Sequence, residues 1–478
     1  MHANAGSGAD VLRAGDITPA RANAALVALL LTYMLSYVDR TALGVLQEPI
    51  KHEFGLSDGE LGLLGGPAFA VLYALASLPI ARLAERYNRS AIIATSLAAW
   101  SLMTALCGLA QNYVHLLIAR IGVSVGEAGG NPASHSLIAD LFPPARRARA
   151  LSVYTFGVPV GAFLGAAVAG WLAHLWGWRT AFLILGLAGI LLLPVLLLIP
   201  RVPRGRFDEG VAEATPPSTA TVVRVLLTNA VFRQLAVGAT LVVLVGYSVA
   251  GFLPVFLIRV HGADLGEVGW IAGLINGAAA GVGTLFGGFA ADRYGRRDPR
   301  VYAWMPAMMV LLAGPCFIAG FALDALWPAT LLLMVGTAGI YTYIAPTFAQ
   351  VHAMVGARMR ATASSVLFLI INLVGLGLGP VLVGVVSDRA AALRFGASPD
   401  HYGASCRLPA AGMEAACHAA SAHGITVALV LVSTLLAWAA AHFWLAGRRM
   451  GASAPSVPMA ADEGKSRCGE RRVLPTSR

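Results

Sequence analysis

Charged residues are scarce in this sequence. They make up 12% of its 478 residues, whereas apolar residues make up 57%. A water-soluble globular domain carries about 25% charged residues, and half that fraction leaves too few charges to cover a soluble surface. The apolar residues also occur in long runs, which a soluble core does not produce. The composition therefore excludes a soluble protein and indicates a membrane protein.

Several motifs that would carry chemistry are missing. No Gly-x-x-x-x-Gly-Lys-Ser/Thr phosphate loop occurs, so transport driven by ATP is not indicated. The five cysteines are scattered, with no spacing typical of a metal site. The sequence also lacks the His/Asp cluster or Ser/His arrangement that would indicate a membrane-embedded enzyme. These absences favour a protein that is not an enzyme and needs no metal or other cofactor.

The start of the chain lacks the short apolar core of a cleaved signal peptide. Its first 22 residues are polar, so we expect the first apolar run to be retained as a membrane span. The net charge of +10 would suit nucleic-acid binding, but the arginines lie in short clusters between apolar runs rather than on one polar domain. Nucleic acid is therefore not an expected partner.

The sequence does contain many apolar runs that are long enough to cross a membrane. A helical span needs about 20 mostly apolar residues, and twelve runs meet this requirement. We therefore predict an all-α membrane protein with twelve transmembrane helices, at residues 24–47, 60–81, 91–111, 114–139, 150–173, 180–199, 232–257, 268–290, 302–323, 327–349, 362–386 and 424–446.

The loops between these runs alternate in charge. Every second loop contains a cluster of arginines, as at 82–89, 146–149 and 293–300, and the other loops contain few basic residues. The positive-inside rule places the arginine-rich loops and both termini in the cytoplasm. We expect a multi-pass protein of a bacterial inner membrane.

A polar connection divides the spans into two groups of six. It covers residues 200–230 and begins with prolines and arginines. We therefore predict two pseudo-symmetric six-helix bundles, at 23–199 and 231–447, joined by this cytoplasmic linker. A polar cytoplasmic segment at 1–22 precedes them. The tail at 448–478 is polar enough to be disordered.

A short motif recurs at the same place in each half. An acidic residue followed by Arg-Tyr occurs after the second span and again after the eighth. Internal repeats of this kind are how many transporters are built, and a channel would not need them. The motif residues, which we predict to form gating loops, are Glu85, Arg86, Asp292, Arg293, Gly295, Arg296 and Arg297.

These motifs resemble those of the major facilitator superfamily. The loop at 288–297 matches that family's Gly-x-x-x-Asp-Arg-x-Gly-Arg-Arg signature at every position, whereas the loop at 81–89 departs from it at Ala81, Glu85 and Asn88. The fourth and fifth spans resemble two further signatures of the family. The resemblance implies the major facilitator fold and transport by alternating access, with loops that join the cytoplasmic ends of the two bundles.

Two stretches resemble the spinster-like branch of that superfamily. They are Tyr37-Val-Asp39-Arg40 in the first span and the run 120–129 in the fourth. Members of this branch move sphingosine phosphates and lysophospholipids, some of them driven by protons. The resemblance therefore implies a lipid-like substrate and protons as the coupling ion. We expect the transporter to be a monomer surrounded by membrane lipid.

Four charged residues lie away from the ends of the predicted spans, and all four belong to the first half: Asp39, Arg40, Arg120 and Glu127. A charge at that depth costs at least about 2.5–3.5 kcal/mol and normally marks a proton or substrate path. Our hypothesis is that Asp39 and Glu127 bind protons, while Arg40 and Arg120 are alternating partners or bind an anionic head group. The alternative is a set of fixed ion pairs that lock the helices together.

Uncharged polar residues extend this candidate site. Ser124, Asn131 and His135 continue the face of the fourth span at helical spacing. The candidates in the second half are Tyr247, Asn276, Tyr341, Tyr343 and Asn372. A cavity that is charged on one side only favours an amphiphile with one charged head. The alternatives are a small organic anion such as a sugar acid, or a drug, and each aromatic or amide could also serve in ordinary helix packing.

The longest periplasmic loop, at 389–423, contains Cys406 and Cys417. An oxidising compartment permits a disulfide between them, but the sequence does not reveal whether the geometry allows one.

Two features of the backbone also stand out. Three glycines at four-residue spacing between 157 and 165 predict close helix packing in the fifth span. In the fourth span, Pro132 removes a helical hydrogen bond and predicts a kink or a hinge.

Overall fold

The computed structural model describes residues 17–199, 202–204, 206–207, 218–295, 297–356, 359–407 and 412–452. In this part of the chain all regular secondary structure is helical, which confirms the all-α fold class. The helices of the first half are α1 (Pro19–Phe54), α2 (Asp58–Gly65), α3 (Pro67–Arg86), α4 (Arg89–Gly108), α5 (Tyr113–Glu127), α6 (Gly130–Leu141), α7 (Pro144–Thr155) and α8 (Gly157–Leu197).

The second half has the same kind of architecture, with two π-helical turns inserted at Leu274–Ala279 and Ile371–Leu376. Its helices are α9 (Thr219–Thr228), α10 (Ala230–His261), α11 (Leu265–Gly273), α12 (Ala280–Gly295), α13 (Val301–Ala322), α14 (Leu326–Tyr341), α15 (Ile344–Ala353), α16 (Arg360–Ile370), α17 (Gly377–Phe395), α18 (Pro399–Arg407) and α19 (Glu414–Ala452).

Ten helical segments in the described part of the chain are long and apolar enough to cross a membrane. One of them, at Arg149–Leu197, contains two predicted spans that are joined at Gly177, where φ is 79°. This left-handed conformation favours glycine. A further predicted span is divided into α5 and α6 and carries two charged residues. The segments are therefore consistent with twelve spans.

The helices extend past several predicted boundaries. Helix α1 begins at Pro19, inside the segment predicted as a polar N-terminus, and α19 continues to Ala452, inside the predicted tail. Helix α9 lies within the predicted linker and buries Val222 and Leu226. Most of both predicted tails and much of the linker fall outside the described residues.

The division of the fourth span lies just before Pro132. Helix α5 ends at Glu127, and α6 begins at Gly130. Pro132 is then in the first turn of α6, where a backbone N–H has no intrahelical partner in any case. The predicted interruption is present, and the proline is accommodated by the start of a new helix.

Glycines on α8 allow close packing against α1. A Cβ atom at Gly165 would lie 2.6 Å from the Cα atom of Val38, and one at Gly161 would overlap the backbone oxygen of Met34. A Cβ atom at Gly157 would lie 3.0 Å from the backbone oxygen of Leu30. These contacts agree with the packing predicted from the four-residue spacing.

The two halves contact each other closely at one end of the molecule. Cys406 and Cys417 form a disulfide there, with their Cα atoms 5.6 Å apart. We call this the disulfide end, and the opposite end, where α1 begins and α19 finishes, the terminal end. Near the disulfide end, a Cβ atom at Gly62 of α2 would lie 2.5 Å from the backbone oxygen of Pro380 on α17. Backbone contact of this kind closes the disulfide end.

Replacing Gly161 with Val should destabilise the first half, because the added side chain would overlap the backbone of α1. Overpacking of this kind costs about 1–3 kcal/mol. We expect a lower thermal unfolding temperature of the purified protein in detergent. Gly251→Ala is the matched control, since a Cβ atom there meets nothing within 4 Å. Equal unfolding temperatures for the two variants would contradict the packing described here.

Unreduced protein should yield a covalently linked pair of tryptic peptides, one ending at Arg407 and the other beginning at Leu408. Trypsin cleaves between the two cysteines, so only the disulfide can join these peptides. Mass spectrometry with and without reductant checks this, and Cys417→Ser provides the unlinked control. Free thiols at both positions in the unreduced sample would show that the bond is absent.

Candidate functional site

A buried ion pair joins α1 to α5. The Nη2 atom of Arg40 lies 2.7 Å from Oε2 of Glu127, and the Nε–H of Arg40 donates to the same oxygen at 2.8 Å. The hydroxyl of Ser36, one helical turn before Arg40, also donates to this oxygen, at 3.1 Å. The Glu127 side chain is only 1% exposed. Charge-assisted hydrogen bonds therefore replace water around this carboxylate.

The local sequence fixes the position of Glu127. A Cβ atom at Gly126 would lie 2.7 Å from the backbone nitrogen of Trp100, and one at Gly130 would lie 3.4 Å from the Trp100 ring. Small residues on both sides of Glu127 thus let the backbone approach α4 directly. Because Glu127 is the last residue of α5, its carboxylate lies at the interruption of the fourth span.

Three aromatic rings surround the guanidinium of Arg40. Its Cζ atom lies 4.7 Å from the ring centre of Phe69 and 5.2 Å from those of Tyr37 and Tyr73. We call these rings the aromatic cage. Ring faces attract cations at such distances. The cage therefore stabilises a charge in an otherwise apolar region while leaving Arg40 18% exposed.

Asp39 and Arg120 lie next to this ion pair and are buried more deeply. They are 4% and 2% exposed, respectively, and Arg120 interacts electrostatically with Asp39. The Cζ atom of Arg120 lies 5.7 Å from the ring centre of Phe69, so both arginines flank one ring. The Nε and Nη1 atoms of Arg120 have no hydrogen-bond partner among the described residues. Arg120 is therefore a buried donor group that is available to another acceptor.

The four charges predicted from the sequence thus form one cluster. The direct contact in the structure joins Arg40 to Glu127, and Arg120 interacts with Asp39. The second oxygen of Glu127, Oε1, is buried without a partner in the described part of the chain. The assignment of proton-binding roles stays a prediction.

The predicted polar face of the fourth span divides into two parts. Ser124 is fully buried and donates to the backbone oxygen of Ile121 at 2.9 Å, so its hydroxyl is satisfied within the helix. Asn131 accepts a hydrogen bond from the hydroxyl of Tyr154 at 3.1 Å, and the His135 ring contacts the Tyr154 ring at 5.4 Å. Asn131 and His135 therefore contact Tyr154 of α7, whose ring stacks on that of Tyr33 at 4.6 Å.

The tyrosines predicted in the second half extend toward the aromatic cage. Tyr247 lies near Arg40 and Tyr37 across the boundary between the halves, and Tyr341 lies near Tyr247. Tyr343 is 6% exposed, and its ring packs at 6.2 Å from that of a core phenylalanine. Tyr247 thus approaches the charged cluster, whereas Tyr343 mainly packs in its own bundle.

The two predicted amides both lie in π-helical turns. Asn276 is in the turn at Leu274–Ala279, and Asn372 is in the turn at Ile371–Leu376. The side-chain nitrogen of Asn372 donates to the backbone oxygen of Phe368 at 2.9 Å. Such turns are rare and often occur at functional sites, so this shared location supports their candidacy as lining residues.

The predicted gating residues lie at the terminal end. Arg86, Asp292, Arg293 and Arg297 are exposed, and Gly295 is buried. In the described part of the chain no ion pair joins the motif of one half to that of the other. The side chain of Glu85 and all of Arg296 lie outside the described residues.

Sequence reasoning missed several residues of the site. Ser36 is four residues before Arg40, and this helical spacing was the signal that could have found it. Phe69 and Tyr73 are apolar or aromatic residues in an apolar span and carry no distinguishing signal. A buried cluster around Arg259 at the disulfide end was also missed. The predicted span ends at residue 257, which leaves Arg259 in a loop, whereas in the structure Arg259 lies in α10 and is 3% exposed.

Among the described residues, no group of three or more His, Cys, Asp or Glu side chains is arranged to hold a metal ion. The expectation that protons are the coupling ion and that no other cofactor is needed stays a prediction.

The sequence and the fold are both similar to those of known transporters. The sequence profile of the Major Facilitator Superfamily matches residues 29–380. An MFS-type efflux pump of Mycolicibacterium smegmatis is 37% identical over 376 residues, which cover 77% of this chain and 85% of the pump. A probable L-galactonate transporter of Escherichia coli is 24% identical, over 78% of this chain and 84% of that protein.

A solved structure gives the same result for the fold. A bacterial homolog of the human lysosomal transporter Spinster, in an inward-facing and unoccupied conformation, superimposes with a TM-score of 0.82. It is 33% identical, and the match covers 90% of this chain and 98% of that one. The proteins that this chain resembles are transporters rather than enzymes. The chain therefore belongs to the Major Facilitator Superfamily, as a spinster-like transporter and a multi-pass membrane protein.

Proposed function

We propose that this protein is a proton-coupled secondary active transporter that moves an amphiphilic anionic or zwitterionic substrate by alternating access. Lysophospholipids and sphingoid phosphates have this chemistry. The observation that carries the proposal is the buried ion pair between Arg40 and Glu127. It places a cation that suits an anionic head group in contact with a carboxylate that can bind a proton.

Coupling follows from competition within this ion pair. When Glu127 binds a proton, its attraction to Arg40 falls, and the guanidinium requires another anion. A phosphate or carboxylate head group supplies that anion with matching bidentate geometry. Binding of the head group and protonation of Glu127 therefore favour each other, and by linkage the effect is reciprocal.

Asp39 and Arg120 complete the exchange. Asp39 lies beside Arg40 in sequence and provides a second buried carboxylate that can bind a proton when Arg40 is engaged elsewhere. Arg120 contributes buried N–H donors that have no partner among the described residues. We assign Asp39 and Glu127 as the proton-binding residues and Arg40 and Arg120 as their partners and as ligands of the head group.

The distribution of polarity supports an amphiphile. The charged cluster belongs to the first half, whereas the approaching groups of the second half, such as Tyr247 and Tyr341, are aromatic and uncharged. The cage itself is formed by rings on the first half. A substrate with one charged head and an apolar body matches this arrangement better than a solute that is polar throughout.

A second candidate is a small organic anion such as a sugar acid, or an exported drug. The similarity to an efflux pump and to a probable L-galactonate transporter favours this alternative. A carboxylate would bind the guanidinium of Arg40 as a phosphate does. The ligand measurements below distinguish the two classes.

We place the protein in a bacterial inner membrane as a monomer, with two six-span bundles joined by the linker at 200–230. The arginine-rich loops and both termini face the cytoplasm, so the disulfide end faces the periplasm. The exposed motif loops around Arg86 and Arg293 then lie on the cytoplasmic side, where they would join the bundles when the transporter opens outward.

Glu127→Gln should abolish transport driven by a pH gradient, because glutamine does not bind the coupled proton. Exchange of substrate without a gradient should persist, since glutamine keeps the size and hydrogen-bonding capacity of the side chain. Transport of an identified substrate into proteoliposomes, with and without a pH gradient, measures both.

Glu53→Gln is the matched control for this experiment. Glu53 also lies on α1, but far along the helix from Arg40. It pairs with Arg179 at 2.7 Å, and both of these side chains are over a third exposed. Its loss should leave both activities unchanged. Full proton-driven transport by Glu127→Gln would show that the Arg40–Glu127 pair is a fixed structural contact.

Lysophospholipids or sphingoid phosphates should raise the thermal unfolding temperature of the purified protein, and the increase should be larger at lower pH. The reason is that protonation of Glu127 frees Arg40 for the head group. A screen that also contains sugar acids and drugs measures this. Arg40→Gln should lose the stabilisation, and Glu127→Gln should keep it but lose its pH dependence. Stabilisation by sugar acids alone would instead support the second candidate.

A further inference from the structure

One guanidinium connects the two halves at the disulfide end. The Nε and Nη2 atoms of Arg259, on α10 of the second half, donate to the two carboxylate oxygens of Glu48 on α1 at 2.9 and 2.8 Å. Its Nη1 and Nη2 atoms also donate to the two oxygens of Asp58 on α2, at 2.8 and 2.7 Å. Arg259 thus holds two carboxylates of the first half in bidentate contact.

Two residues of α17 strengthen the same connection from the second half. The carboxylate of Asp388 accepts hydrogen bonds from the backbone N–H groups of Asp58 and Gly59, at 3.0 and 2.8 Å. These groups belong to the first turn of α2, where a carboxylate is favourable. The hydroxyl of Ser387 donates to Asp58 at 2.6 Å. The start of α2 is therefore bound to both α10 and α17.

The cluster is buried and depends on Arg259 for its charge balance. The side chains of Arg259, Glu48 and Asp58 are 3%, 7% and 3% exposed. Two further residues of α1 pair with these carboxylates in the described part of the chain. Lys51 pairs with Asp58, and the exposed ring of His52 pairs with Glu48. Without Arg259, the buried carboxylates would face each other with too little positive charge, and water would have to enter.

We propose that Arg259, Glu48 and Asp58 form a latch that holds the periplasmic side of the transporter closed. Opening to the periplasm requires Arg259 to separate from both carboxylates, because its helix and theirs belong to different halves. A cavity of about 840 Å³ lies beside the latch. It is lined by Glu48, Arg259 and residues of α18 and α19, the two helices that the disulfide joins. Release of the latch connects this cavity to the interior.

Helix α1 links the latch to the charged cluster of the site. Glu48 follows Asp39 by nine residues on one continuous helix, a distance of about 13 Å along its axis. When Arg40 exchanges Glu127 for another anion, α1 can move. Because Glu48 lies on the same helix, that movement displaces Glu48 relative to Arg259. This link rests on the proposed function, and so does the assignment of the disulfide end to the periplasm. The contacts of Arg259 with Glu48 and Asp58 do not.

Spin labels across the disulfide end test the latch without any substrate. The labels are placed on Trp176→Cys in the first half and Leu323→Cys in the second, which replace residues that are 57% and 37% exposed. The three cysteines outside the disulfide are replaced by serine. Pulsed electron paramagnetic resonance then reports the distance distribution between the halves.

Arg259→Ala should shift this distribution to longer distances, with the ratio of open to closed protein rising by at least roughly a hundredfold. Arg179→Ala is the matched control, because Arg179 forms an ion pair at the same end but within the first half; its distribution should equal that of the parent. Should Arg259→Ala fail to fold, Arg259→Lys keeps the charge without the planar fork and should give a smaller shift in the same direction.

A parent-like distribution in a folded Arg259 variant would overturn the proposal, as would an equal shift in Arg179→Ala. Neither result bears on proton coupling or substrate, which are measured separately by transport through the Glu127 variants.

Discussion

Charge buried at membrane depth is the constraint on which this structure depends. A carboxylate or guanidinium in the lipid-spanning region is tolerated only when hydrogen bonds and an opposite charge replace water. Glu127 meets this requirement through Arg40 and Ser36, and Arg40 meets it through Glu127 and the aromatic cage. Each partner therefore needs the other. Any event that neutralises one of them forces the second to find a new partner, which is the physical basis for coupling two ligands.

The same constraint operates a second time at the disulfide end, with a different geometry. The Arg40–Glu127 pair lies within one half and has a partly exposed member, which suits exchange with a proton and a substrate. The latch around Arg259 crosses between the halves and is deeply buried, which suits a contact that is either formed or broken. Both clusters include residues of α1. This helix therefore connects the place where ligands exchange with the place where the halves separate.

The sequence was sufficient for the fold class and for the central cluster. Apolar runs reveal spans because lipid permits little else, and a charge such as Asp39 or Glu127 is conspicuous in such a run. Arg259 was not recognised because a charge at the end of a span has the same sequence signature whether it faces water or another helix. The continuous α8 through Gly177 and the π-helical turn at Asn276 depend on tertiary packing and have no periodic signal. Pairing between elements was likewise unreadable, so the contact of Arg40 with Glu127 required the structure.

The central claim is that Glu127 exchanges Arg40 for a proton when an anionic head group binds. Infrared difference spectroscopy measures this directly, because a protonated carboxylic acid has a carbonyl band that a carboxylate lacks. Addition of a stabilising ligand should produce this band in the parent protein and not in Glu127→Gln. A ligand that binds without producing the band, or a band that persists unchanged in Glu127→Gln, would contradict the account.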